Sequence, residues 1–227
     1  MRVLAIDTAL GACACAVFDT DQRELLASES LPMVRGHAEA LMPLVARVFA
    51  AARLRMAEID RVAVTVGPGS FTGLRVGISA ARGIALAAAK PAVGLTTLSA
   101  FAAPHIALDD KTPILAAIDA RNNSVFMQLF GLGGRTVISP RLTAIEDAVR
   151  AAISGPARLV GSAAGSIAAA WPANQPLPLV DSQPAPSIEW VARLGASAPS
   201  DGTALPKPLY LRAPDAQPQD AARLPRR

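Results

Sequence analysis

A chain of 227 residues can form one large domain or two small lobes, and it is long enough to bury a real core. Its 52% hydrophobic content is dominated by alanine with only 4% aromatics, so packing must rest on close helix and strand contacts; although mean hydropathy is +0.34, Arg75, Arg82 and Lys90 interrupt the best apolar run and exclude a membrane span. A net charge of +4 and a pI near 9.7 permit an RNA-containing partner, yet no basic stripe interleaved with aromatics offers a stacking platform.

In chain order, Arg2 to Asp7 reads as a buried strand, Ala12 to Phe18 as its hairpin partner and Arg23 to Ser30 as a third strand, with Thr8 to Gly11 forming the first turn. Asp7 sits inside the opening apolar run, which argues against a secretory signal and for a cytoplasmic chain. Cys13 and Cys15 share one strand face, too few for a metal cage and poorly directed for a mutual disulfide; they read as small buried side chains. Met33 to Met56 has helical periodicity, with Leu41, Leu44, Val45, Val48 and Phe49 on one side, and Pro43 either starts or kinks the helix.

Arg61 to Val66 is rich in β-branched residues, which suits a strand buried on both faces. Gly67-Pro68-Gly69 forces a tight turn, and Ser70 is placed to cap a helix running from Phe71 to Lys90. In that helix Leu74, Ile78, Ala81 and Ala85 recur at spacings of three and four, while Gly73, Gly77, Ala80 and Gly83 remove bulk. Each internal glycine costs roughly 1 kcal/mol relative to alanine, so a close contact is expected, either within the fold or with another chain. A glycine-rich loop at a helix start can also bind an anion, which makes Asp7, Gly67, Gly69 and Ser70 the nucleotide or anion candidates. Against this, Thr72 occupies the third glycine position of a dinucleotide fingerprint, and no G-K-[ST] is present.

Ala92 to Leu95 reads as a strand, Thr96 to Ala103 as a short helix, and Ile106 to Thr112 as a polar lobe boundary. Ile114 to Asp119 then repeats the opening strand, and Ser124 to Phe130 repeats its return. An internal duplication explains this economically, with chance likeness of two apolar strands as the competing account. Further on, Thr143 to Ile153 and Ala163 to Trp171 look helical, as does Ser187 to Leu194, while Arg158 to Gly161 looks like a strand. Pro172 to Pro186 is a loop. From Ser197 the composition is that of disorder, apart from a strand-like Pro208 to Arg212 before a loose tail.

Two lobes that each open on a strand, an aspartate and a hairpin suggest the actin and sugar-kinase architecture, an α/β fold in which such hairpins hold nucleotide phosphates and an aspartate positions Mg²⁺. Asp7 fits that role, but Asp119 is followed by Ala120, Arg121 and Asn122, without the glycine that lets backbone close on a phosphate. His37 and His105 are the only histidines and belong to no H-x-x-x-H pattern, so no metal site is expected. His37 reads as a capping or interface residue and His105 as a surface loop residue. Ser70 lacks a nucleophile elbow and a histidine partner, so no catalytic residue is assigned.

AIDTA from Ala5, HAEALMPL from His37, VTVGPGSFTGLRVGISAARGIALA from Val64, VGLTTLSAFA from Val93, AIDARNNSVF from Ala117 and PLYLR from Pro208 together resemble the TsaB family. GPGSFTGLR is highly specific to it. The resemblance implies a non-catalytic relative of TsaD, the subunit that transfers the threonylcarbamoyl group to the adenosine beside the tRNA anticodon. TsaD continues with G-V-N-H-L-E-G-H, whose two histidines hold its metal; Thr97 and Phe101 occupy those positions here.

The resemblance further implies a scaffold without cofactor that forms a heterodimer with TsaD, works with TsaE, reaches tRNA through the complex and pairs with itself when alone. The implied partner surface comprises His37, Leu41, Leu44, Val45, Val48, Phe71, Leu74, Arg75, Gly77, Ile78, Ala81 and Arg82. Residues 1–105 would form the lobe carrying these helices, 106–205 a smaller lobe, and 206–227 a strand and tail. The alternative is a small nucleotide-binding kinase-like or peptidase-like enzyme of the actin-like superfamily.

Overall fold

The structure is a computed structural model that describes residues 1–108, 111–153, 155, 157–199 and 205–212. The first sheet begins with β1 (Arg2–Asp7), β2 (Ala12–Asp19) and β3 (Glu24–Pro32), joined as antiparallel hairpins. Helix α1 (His37–Ala52) leads to β4 (Arg61–Gly67), α2 (Phe71–Ala88) and β5 (Ala92–Thr96), with β4 parallel to β1 and β5 parallel to β4. Helix α3 (Thr97–Ile106) crosses to the second sheet, built from β6 (Ile114–Asp119), β7 (Ser124–Phe130) and β8 (Thr136–Ala144). The chain continues through α4 (Ile145–Ala152), β9 (Arg158–Val160), α5 (Ala164–Ala169), β10 (Leu179–Asp181) and α6 (Ile188–Ser197).

The two sheets share one topology. Their strand orders are β3-β2-β1-β4-β5 and β10-β9-β6-β7-β8, the second being the first read from the other edge. Two hairpins followed by two parallel strands, repeated in the same sense, favour duplication over chance likeness. The fold is α/β and actin-like, with two duplicated halves.

Each sheet is covered on both faces, and alternation along the central strand decides what goes where. Leu4 and Ile6 of β1 pack with Leu41, Leu44, Val48, Leu74 and Ile78 of α1 and α2. Val3 and Ala5 face the other way, in the clusters that join β1 to Ala63, Val191 and Ala192. In the second sheet Leu115 and Ala117 pack with Ala148, Val149 and Ile167 of α4 and α5, while Ile114, Ala116 and Ile118 pack with Leu98 and Phe101 of α3. Helices α3 and α6 are thereby exchanged: α3 follows the first sheet but packs on the second, and α6 follows the second but returns to the first. The contact of α6 is close, because a Cβ on Gly195 would overlap Ala63. Arg61 fastens its end, donating from Nη1 to the carbonyls of Gly195 at 2.8 Å, Ala196 at 3.2 Å and Ala198 at 2.7 Å.

Several boundaries and two strands differ from expectation. The first helix spans 37–52 rather than 33–56, ended by Arg53 in the left-handed region at φ 54. Pro43 lies inside that helix on its exposed side, so it does not start it. Strand β8 was hidden by Pro140 and an exposed, unpatterned composition, and β10 is a three-residue edge inside the expected proline-rich loop. Both are edge strands, where proline and polar residues are tolerated. Pro208 to Arg212 is not a strand; a single backbone bond, Leu209 N–H to Val66 O at 2.7 Å, ties it to β4. The tail after Arg212 lies outside the described residues.

Gly195→Ala should lift α6 from the sheet at a cost of about 1–3 kcal/mol, the range for an overpacked core. Urea unfolding would read this as a lowered midpoint with an unchanged slope.

Candidate functional site

The β1–β2 turn and the start of α2 meet face to face. Thr8 donates its hydroxyl to Gly73 O at 2.7 Å, and Ser70 N–H donates to Ala9 O at 2.8 Å. Ser70 also caps α2, its Oγ accepting from Gly73 N–H at 3.3 Å. There is no room for side chains at this junction: a Cβ on Gly69 would overlap Ala9 O, one on Gly73 would overlap Thr8 O, and one on Gly77 would overlap Thr8 Oγ1. Gly67 adopts φ +114 with its Cβ position 2.9 Å from Leu209 O. The glycine run therefore answers to close contacts within the fold.

Beneath this junction lies Asp7, with 0% exposure. Its Oδ1 accepts from Ala9 N–H at 3.1 Å and from the Thr65 hydroxyl, while Oδ2 is buried without a hydrogen-bond partner. Burial raises its pKa above the ordinary value of 3.8, against the opposing pull of the Thr65 and Ala9 bonds. Asp7, Gly67, Gly69 and Ser70 do come together, but around the chain's own backbone. Gly11 N–H, at the far end of the turn, donates to Pro184 O at 3.3 Å. These residues do not fit a nucleotide phosphate or its Mg²⁺, since a ligand would have to displace main chain to reach the carboxylate. In the second half Asp119 is exposed and spends Oδ1 on Arg121 N–H at 2.8 Å. Arg121, Asn122 and Asn123 make that turn at φ 63, 51 and 56 without any glycine.

Thr97 and Phe101 are 0% and 4% exposed, one turn apart on α3, and the phenyl ring is a core residue beside Leu98, Ile114 and Ile118. Neither position offers a metal ligand, and among the described residues no three His, Cys, Asp or Glu side chains cluster to hold an ion. His37 is the first residue of α1, with Nε2 3.2 Å from Leu10 O, so it pins the helix start to the β1–β2 turn. His105 is not a loop residue: it lies within α3, with Nε2 3.0 Å from Asp181 Oδ2 on β10. That pair borders a cavity of about 360 Å³ lined also by Phe101, Gly161, Gln183 and Trp190. Cys13 and Cys15 are free and buried, and burial pushes the Cys13 thiol up to about 11.

The helix faces differ most from expectation. Leu41, Leu44, Val45, Val48, Leu74, Gly77, Ile78 and Ala81 are buried against the chain's own sheet, so they present nothing to a partner. Their helical period marks the core stripe; His37 is buried with them, and of the expected surface only Phe71 and Arg75 are exposed, with Arg82 half-buried. Outward lie Met42 at 50%, Phe71 at 51% and Leu86 at 84% exposure, with Arg75 beside them and Arg82 half-buried. Gly83 also faces out, and a Cβ there would meet nothing within 4 Å.

The profile of a family described as TsaD: tRNA N6-adenosine threonylcarbamoyltransferase matches residues 26–200. The tRNA threonylcarbamoyladenosine biosynthesis protein TsaB of Escherichia coli (strain K12) is 39% identical over 126 residues, 56% of this chain and 53% of that protein. The chain belongs to the family of that TsaD profile, and it is similar to proteins named TsaB. It spans about half the length of that relative, whereas an uncharacterized protein of Mycobacterium tuberculosis is 35% identical over 217 residues, 95% of this chain and 94% of its own. YeaZ from Pseudomonas aeruginosa, a TsaB under another name, superimposes with a TM-score of 0.77 at 26% identity over 92% of this chain and 99% of that one. The chain thus shares the fold of YeaZ over nearly its whole length.

A carboxyl with a raised pKa favours folding in its protonated form, so its contribution to stability is complete below pH 3.8 and falls as pH rises through the higher folded value. Asp7→Asn keeps the accepting oxygen and removes the charge. Urea unfolding should show the variant close to the parent near about pH 4 and increasingly more stable toward about pH 8. A parent that outlasts the variant at the higher pH would identify the carboxylate as a working ion ligand.

Proposed function

We propose that this chain is a non-catalytic subunit that supports threonylcarbamoylation of the adenosine beside the tRNA anticodon by binding TsaD, with TsaE joining the assembled complex in the cytoplasm. One observation carries the reading: the turn where an actin-like enzyme holds its phosphates is filled by main chain, with Asp7 sealed beneath it. A chain closed in this way contributes through what it touches. Its relatives named for threonylcarbamoyladenosine biosynthesis and its match to the transferase profile support a role in that pathway.

The surface that suits pairing is the outward side of α1 and α2, with Met42, Ser79, Gly83, Leu86 and Ala87 exposed on it. Gly83 is the telling member. An interior helical glycine costs roughly 1 kcal/mol, and unlike Gly73 and Gly77 this one meets nothing in its own fold. A second helix laid across it would come close to the backbone, which gives the glycine a purpose. The same face serves TsaD in the heterodimer and a second copy of this chain when TsaD is absent.

Two experiments test the proposal. Reconstituted TsaD, TsaE, threonylcarbamoyl donor and tRNA should modify tRNA only slowly until this chain is added; full modification without it overturns the assignment. Gly83→Leu should abolish TsaD retention in a pull-down while raising the melting temperature of the isolated chain, because leucine is the better helix former. Retention equal to that of the parent would place the interface elsewhere.

A further inference from the structure

The end of α2 carries a cluster that the pairing surface does not use. Phe71 at its first residue stacks with Tyr210 of the 205–212 segment, ring centroids 5.4 Å apart and planes at 29°. The Arg75 guanidinium lies 3.8 Å from the Phe71 ring centroid, and its Nε donates to the Tyr210 hydroxyl at 3.2 Å. Both rings remain about half exposed, Phe71 at 51% and Tyr210 at 46%. Aromatic rings with that much open surface are unusual in a chain with so few of them, and this pair is held rigid by a cation.

The two segments that carry the rings have charge of one sign. From Arg61 to Leu108 the sequence contains no aspartate or glutamate, and none occurs from Leu205 to Arg212. Arg75, Arg82, Lys207 and Arg212 all belong to these two segments, and among the described residues none of the four makes an ion pair. Arg82 is turned toward the same segment, donating from Nε to Pro206 O at 2.8 Å. A protein partner could cover the rings but would need its own acids to meet this field. A polyanion with flat, unpaired rings meets both features at once.

We propose that the Phe71–Arg75–Tyr210 cluster is a stacking platform for single-stranded RNA, with bases lying on the exposed ring surfaces and phosphates met by Arg75, Lys207 and Arg212. Stacking on aromatic side chains tolerates any base, and cations along the backbone path add a salt-dependent attraction. The platform is separate from the helix-pairing face: Gly83 lies twelve residues beyond Phe71, about 18 Å along the helix axis. Direct contact with RNA does not rest on TsaD pairing, and either can fail without the other.

The test uses the full chain and a fluorescein-labelled unstructured RNA of about 12 nucleotides, a length within the usual span of such sites, read by anisotropy beside the same sequence as a duplex. Single strands should bind more tightly than the duplex. Phe71→Ala and Tyr210→Ala should each weaken binding about five-fold to a hundred-fold, the effect of losing one stacked base, and Phe71→Tyr should restore it. Arg75→Gln should flatten the salt dependence by about 0.7 in log–log slope, one phosphate contact. Melting curves confirm that each variant is folded before it is scored. The proposal is overturned if the parent chain binds no single strand, if the duplex binds equally well, or if the alanine variants bind as the parent does. It is equally overturned if Phe71→Ala abolishes TsaD retention at unchanged RNA affinity, which would make the cluster a protein contact.

Discussion

The contact between the Thr8–Ala9 backbone and the start of α2 is the constraint on which the rest of the first half depends. Gly69, Gly73 and Gly77 are spaced by four, so they line one side of the helix start, and each lies where a Cβ would collide with the hairpin turn. Bringing the helix this close lets Thr8 and Ser70 make direct bonds across the junction. It also places Leu74 and Ile78 on the sheet and shuts Asp7 in. Gly73 and Gly77 weaken the isolated helix by roughly 1 kcal/mol each, and the burial of α2 over Ile6 and Val64 offsets that, since an aliphatic side chain taken fully from water contributes about 1.5–3 kcal/mol.

A second constraint is the exchange of α3 and α6 between the halves. A helix that packs on the sheet of the other half cannot be released without uncovering both cores, so the duplicated halves depend on one another although their sheets are separate. The alanine-rich composition is what permits the exchange. Ala5, Ala14, Ala16 and Ala63 keep the sheet surface low under α6, and Gly195 lets the helix backbone approach it. Larger residues there would hold α6 off the sheet and lengthen the bonds from Arg61 to its terminal carbonyls.

The internal strands and long helices were legible because their patterns are strong. β1, β4 and β6 are apolar runs bounded by turn residues, and α1 and α2 have clean core stripes. What escaped reading has a physical reason in each case. β8 and β10 are edges, whose residues answer to solvent on one side and so lose the alternation that marks a buried strand. The stripe of Leu41, Leu44, Val48, Leu74 and Ile78 was legible as apolar, but a period alone does not say whether the apolar side faces its own sheet or another chain. His105 looked like a loop residue because Pro104 precedes it, yet Pro104 lies within α3. Phe71 and Arg75 are legible as surface residues of α2, but their cluster with Tyr210 is not, because Phe71 and Tyr210 are distant in sequence and meet only when the 205–212 segment runs back along β4.

The closure of the hairpin turn bears on how an actin-like fold can change occupation. Opening that turn to a phosphate would require small residues where the backbone could stand away from α2, leaving a gap over the aspartate. Here the glycines do the opposite: they draw the turn onto the helix until main chain fills the gap and burial raises the pKa of the carboxyl beneath it. The same residue type that elsewhere admits a ligand has sealed the site, because what matters is which partner the missing Cβ lets in. Gly83 shows the other half of that rule. It lacks any intramolecular partner to admit, and so it is the position on α2 where a second chain has room to come close.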